Sequence, residues 1–226
     1  DIVQAIRLLE GIVSEKDSYQ EAKANLALAY RRVGKIDKSL KVYEKIVFGG
    51  PWSRKAKFNY GTTLITNEGF EQGWRYYENR WKIPPQNKVT WPLQDKSIWK
   101  GEKGKRVVVW KEQGIGDGII FLSLVPEVRE MCDTLSVYVD PRLQSLCKRT
   151  MPDIHFIADE KALNSEDCDF HLPLGSVPGL VRNDISDFDR TVRGYLKADP
   201  VRVEAIRKEL KLKGKTVIGI SWKSFN

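Results

Sequence analysis

Over the first 81 residues apolar positions recur in helical rhythm, and from Lys105 onward they gather into short runs separated by turns. "AKANLALAYRRVGK" and "AKFNYGTTLITNEG" each read as a helix that turns at a glycine into a second one, "DKSLKVYEKIV" and "EQGWRYYENRW". Asn25 and Asn59, Tyr43 and Tyr77, and Glu44 and Glu78 each lie 34 residues apart. A repeat of about 34 residues with helix–turn–helix character is the tetratricopeptide pattern. Small residues at Ala27 and Gly61, and at Ser39 and Gly73, suit two helices that cross closely. Tyr30, Tyr43 and Tyr77 are expected as core aromatics of stacked helices. Residues 1–13 read as the second helix of a unit whose first helix is missing.

Residues 82–104, with three prolines and much polar punctuation, read as a connector. Trp91 and Trp99 are large for a free linker and predict that it packs along a seam. Beyond it, "KRVVVW", "LSVYVD", "IHFIA", "CDFHLPLGSVP" and "TVIGISW" read as strands. "IIFLSLVPEVREM", "PRLQSLCKRT" and "PVRVEAIRKELK" read as helices, the second capped by Asp140 with Pro141 in its first turn. Strand and helix alternate, which predicts a parallel sheet covered by helices. The fold class is therefore α + α/β: helical hairpins over 1–81, the connector over 82–104, and a Rossmann-like domain over 105–200. Residues 201–226 form a linking helix and one further strand.

Composition changes this picture little. The three cysteines, Cys132, Cys147 and Cys168, are well separated, which suits neither a disulfide framework nor a zinc site. Reduced thiols in a cytoplasmic protein are expected, with no metal and no cofactor. No apolar run approaches the roughly 20 residues of a membrane span. The net charge of +8 divides unevenly: residues 1–100 hold 18 basic and 11 acidic residues, the remainder 20 and 19. The excess is spread through helical patterns, as on a solvated surface, and no nucleic-acid partner is expected.

Candidate chemistry gathers in "EQGIGDG", the turn after the first strand of the sheet. Ligands of such sheets bind beyond the carboxyl ends of the strands. A P-loop is excluded, because no Lys-Ser/Thr pair follows the glycines. A dinucleotide fingerprint competes, with Gly114, Gly116 and Gly118 in the turn and Asp140 near the ribose position. Against it, the third glycine comes one position early and Asp117 would set a carboxylate against a pyrophosphate. Asp117 can also be read as a helix N-cap, or as an ionised acid that takes a proton from an acceptor hydroxyl.

The order of "GWRYYENRW", "WKGEKGKRVVVWKEQGIGDGIIF", "FHLPLGSVPGL" and "VIGISWKS" resembles bacterial tetratricopeptide proteins carrying a glycosyltransferase module of the GT-B type. These are similar in organisation to O-linked N-acetylglucosamine transferase, and the Gly-Asp turn resembles that of the lipopolysaccharide heptosyltransferases. The resemblance runs from about residue 22 to the end. It implies a nucleotide-sugar donor and an acceptor hydroxyl on a protein, lipid or polysaccharide. It makes Asp117 the catalytic base and puts Glu112, Gln113, Gly114 and Gly116 along the acceptor cleft. Trp222, Lys223 and Ser224 become donor contacts, the lysine facing the diphosphate leaving group.

By the same resemblance most of the donor-side domain would lie beyond Asn226, so the chain is expected to be a portion of a longer enzyme and inactive alone. The alternative is a non-catalytic scaffold, in which the repeat surface grips a peptide or protein and the α/β domain is inert.

Overall fold

The computed structural model describes residues 1–16, 18–48, 54–84, 88–190, 194–210 and 218–220. Among the described residues five helices build the N-terminal block: α1 (Ile2–Glu15), α2 (Gln20–Arg32), α3 (Ile36–Phe48), α4 (Arg54–Thr66) and α5 (Phe70–Tyr77). A 3-10 turn, Glu78–Lys82, continues from α5.

Small residues allow the helices of each hairpin to touch. Ala27 and Ser39 are wholly buried, and the Ser39 hydroxyl donates to the Ala27 carbonyl at 2.7 Å. One repeat later, a Cβ on Gly61 would stand 2.7 Å from both Tyr76 Cβ and the Tyr77 nitrogen. A Cβ on Gly73 would stand 2.7 Å from Ile65 Cγ1. The turns also repeat. Lys35 N donates to Tyr30 O and Gly69 N to Leu64 O, both at 2.9 Å, the long-range bond of a Schellman helix end. The left-handed residue of that motif is Gly34 (φ 75°) in the first hairpin but Glu68 (φ 61°) in the second. The glycine expected to make the second turn, Gly69, instead has φ −81° and caps α5.

Beyond the block, β1 (Ser97–Ile98), β2 (Arg106–Trp110), β3 (Thr134–Tyr138), β4 (His155–Ile157) and β5 (Phe170–Pro173) form a sheet in the order β1-β5-β2-β3-β4. Every neighbouring pair is parallel. The helices between them are α6 (Ile115–Leu122), α7 (Val125–Met131), α8 (Pro141–Thr150) and α9 (Glu160–Asn164). After β5 come α10 (Pro178–Val181) and α11 (Pro200–Glu209). β2 is buried on both faces, which is why it reads as an unbroken apolar run. Val107 and Val109 face the larger core with Leu122, Val125, Val128 and Leu143. Val108 faces a smaller one with Leu93, Ile157 and Leu163.

Several elements differ from the sequence expectation. The sheet begins at Ser97, inside the stretch read as a connector, because that stretch lends β1 to the sheet edge and buries Trp99. The single helix expected over 119–131 is two, α6 and α7, broken at Ser123 and Leu124 with Pro126 in the first turn of the second. α6 also starts earlier than expected, at Ile115. The strand expected over 216–222 falls mostly outside the described residues, and residues 218–220 are not in a strand.

Several ties join the two blocks. Trp74 Nε1 on α5 donates to the Arg182 carbonyl at 2.7 Å. The buried Arg182 guanidinium in turn grips both carboxylate oxygens of Glu127 at 2.7 and 2.5 Å. The connector's Trp91 packs edge-on against Trp81 and Trp110, with ring centroids 4.6 and 5.5 Å apart.

Candidate functional site

The chain leaves β2 to build β3 and then β4 on one side, and returns to place β5 on the other. Loops leaving β2 and β5 therefore diverge, and such a switch point opens a crevice beyond the strand ends. Its walls are residues 111–114 after β2 and the 3-10 turn Leu174–Ser176 after β5. A cavity of about 20 Å³ lies between them, lined by Glu112, Gln113, Gly114, Asp140, Leu174 and Gly175 among others. A larger cleft, about 640 Å³, opens beside it between α5, α10 and the ends of β1 and β5, with Trp74, Trp91, Glu78 and Ser176 on its walls.

Glu112 is sealed from solvent. Its side chain has 0% exposure, and that of its ion-pair partner Arg80 has 3%. Arg80 Nη2 donates to Glu112 Oε1 at 2.9 Å and to the Ser176 hydroxyl at 2.7 Å, and Nη1 donates to Glu78 at 2.6 Å. Burial alone would make Arg80 a weaker base, but the Glu78 and Glu112 carboxylates outweigh it and raise its pKa. The Gly175 amide adds a further hydrogen bond to Glu112 Oε1 at 3.1 Å. A Cβ on residue 175 would sit 2.3 Å from that oxygen and 2.7 Å from Gln113 Nε2, so both side-chain ends would have to shift to admit it. "EQGIGD" and "LPLGSVP", two motifs far apart in sequence, thus meet at one contact.

Gln113 Nε2 donates to the Tyr77 hydroxyl at 2.6 Å. The Tyr77 ring does pack in the repeat core, 5.4 Å from Phe58 and 5.6 Å from Trp74 between centroids. Its hydroxyl, however, reaches the site, which corrects its reading as a core aromatic alone. Burial raises the Tyr77 pKa, the Gln113 bond and Arg80 oppose this, and the charges of Glu112 and Asp117 add to it.

Asp117 is exposed, in the first turn of α6. The N-cap of that helix is Gly114, with no side-chain capping bond, so Asp117 is not the cap that its position suggested. A Cβ on Gly114 would lie 3.7 Å from Asp117 Oδ2, and one on Gly116 would meet nothing within 4 Å. Asp140, the acid of the dinucleotide reading, caps α8 through the Arg142 amide at 3.0 Å and pairs with the Arg142 guanidinium at 2.9 Å. Those bonds hold its carboxyl far below the usual range. It is already occupied.

The structure thus brings Glu112, Gln113, Gly114, Gly116 and Asp117 to one loop and helix start, with Glu112 facing inward and Asp117 outward. Trp222, Lys223 and Ser224 lie outside the described residues. Sequence reasoning missed Arg80, Tyr77, Gly175 and Ser176 as members of this site. All four fall within quoted motifs, but no spacing rule pairs Arg80 with a carboxylate 32 residues on. The three cysteines are buried free thiols, and burial pushes Cys147 up to about 11. Among the described residues no helix is long and apolar enough to cross a membrane.

Fold and site together define a class: a block of helical hairpins joined to a parallel α/β sheet, with a Gly-Asp turn at the switch point. No family model matches the chain. It is 25% identical over 228 residues to Protein FlbA of Caulobacter vibrioides, an alignment covering 91% of this chain and 38% of that protein. The chain therefore spans well under half the length of this relative. Among solved structures, an O-GlcNAc transferase mutant from Thermobaculum terrenum aligns at 12% identity and a TM-score of 0.35, over 70% of this chain and 38% of the other.

Proposed function

We propose that the chain is the repeat and acceptor-side portion of a GT-B-type glycosyltransferase, acting from a nucleotide-sugar donor on an acceptor hydroxyl. The observation that carries this reading is Asp117. It is an exposed carboxylate in the first turn of α6, the helix that follows the switch-point loop after β2. The helix dipole and free amides at that end of a helix favour negative charge. In the proposed step the acceptor oxygen attacks the anomeric carbon and its proton passes to Asp117. The bond from that carbon to the diphosphate breaks, and a nucleoside diphosphate leaves. Gln113, Gly114 and Gly116 border the acceptor, and the glycines leave room for its close approach. Glu112 acts behind them, not on the acceptor. Trp222, Lys223 and Ser224 remain the proposed donor contacts.

The test is a panel of nucleotide sugars offered to the full-length natural protein, with binding followed by calorimetry and diphosphate release by mass spectrometry. Binding and release of one member support the reading. A protein that binds none of them, yet captures a peptide on its helical block, is the scaffold instead.

A further inference from the structure

The helical block and the Gly-Asp turn share a buried charge network. The 3-10 turn after the last repeat helix brings Arg80, with 3% of its side chain exposed, against Glu112 with none exposed. Arg80 holds Glu112 through both Nε and Nη2, at 3.2 and 2.9 Å, and the same Nη2 reaches Ser176 on the opposite wall of the crevice. Ser176 closes the circuit by donating to Glu78 at 2.9 Å. One residue on, Gln113 is held by the phenol of Tyr77, from the last turn of α5. Two consecutive loop residues are thus anchored by two side chains of the repeat block. The next residue, Gly114, is the N-cap of the helix that carries Asp117.

We infer that the last helical hairpin is an integral part of the site: Arg80, through Glu112, and Tyr77, through Gln113, are positioning residues that set the loop presenting Asp117. This rests on the proposed function only for what the loop does, not for how it is held. A guanidinium fork fixes direction as well as charge, which a lysine ammonium does not. A positioned loop matters because a small misplacement of a reacting group costs much of its rate. The backbone of the opposite wall joins the same lock, since the Gly175 amide donates to Glu112 and a Cβ at that residue would push the Glu112 and Gln113 side-chain ends aside.

The inference is tested by hydrogen–deuterium exchange on the full-length protein, comparing wild type with Arg80→Lys and Tyr77→Phe. Amides of residues 111–118 should exchange about tenfold faster in Arg80→Lys, and less so in Tyr77→Phe, with those of β3 unchanged. Equal exchange in that loop in both variants would overturn the proposal. So would an equal loosening of β3, because the contacts would then brace the whole fold rather than set the loop. Gly175→Ala supplies a third variant that leaves the repeat block untouched, and it should loosen the same segment. If the protein carries out transfer, Arg80→Lys should lower kcat with the donor KM unchanged. If wild type transfers no sugar, the glycosyltransferase reading fails while the exchange data still decide the inference.

Discussion

A carboxylate without solvent, such as that of Glu112, is tolerable only when its charge and lone pairs are met. Arg80 and the Gly175 amide meet them. Removing one partner leaves the other charge buried, so Glu112→Ala should cost about 3 kcal/mol in urea unfolding, the low end for a broken buried pair, because Glu78 still pairs with Arg80. His171 offers a second prediction at this scale. Its Nδ1 accepts from Trp110 Nε1 at 2.9 Å, and burial lowers its pKa from 6.5 against a main-chain bond at Lys96 and the charge of Asp95. Between the folded value and 6.5 the unfolded chain binds more protons, so stability rises with pH across that window. The contribution is full above 6.5 and is lost as pH falls below it. The urea midpoint should therefore drop between about pH 7 and about pH 5, and His171→Gln should flatten that slope. Asp169, held at about 2 by Arg106, acts only in more acidic solution.

Among the elements, the two hairpins show how one turn is solved twice. Gly34 takes the left-handed position freely, whereas Glu68 takes it with a Cβ, at a strain of about 1 kcal/mol. Glu68→Gly should raise the stability of the chain by about that amount, read from its thermal midpoint, while Gly34→Ala should lower it. This turn also marks where the sequence misleads. "NEG" points to its glycine, yet the hydrogen bonds of the helix end place the left-handed residue one position earlier. The period of 34, the small crossing residues and the apolar run of β2 were legible because each is written in residue type at fixed spacing. β1 was not, because two residues in a proline-rich stretch carry no periodicity and gain strand geometry only by pairing with β5. The Gly-Asp loop could be located as a site, but its inward and outward faces could not. Alternation does not hold in a loop, and the partner that draws Glu112 inward comes from another element.

Across the whole molecule, the repeat block and the sheet are held by contacts of unlike kinds: a buried ion pair, an indole-to-carbonyl bond, and the edge-on and tilted rings of Trp81, Trp91 and Trp110. Such a seam couples the stability of the two parts. Unfolding followed by far-UV circular dichroism, dominated by the helices, should coincide with unfolding followed by tryptophan fluorescence. Two separated transitions would mean that the block and the sheet fold independently, and the seam would then be a docking contact only.

The central claim is that the exposed acid at the start of α6 does chemistry and the buried one behind it does not. It is tested most directly by comparing turnover of full-length wild type and Asp117→Asn on whichever nucleotide sugar the wild type consumes, at matched thermal stability. The loss of a general base predicts a fall in kcat on the order of 10²–10⁴-fold with the melting temperature unchanged. Equal turnover in the two proteins would contradict it, and the Gly-Asp turn would have to be read as architecture rather than as a catalytic site.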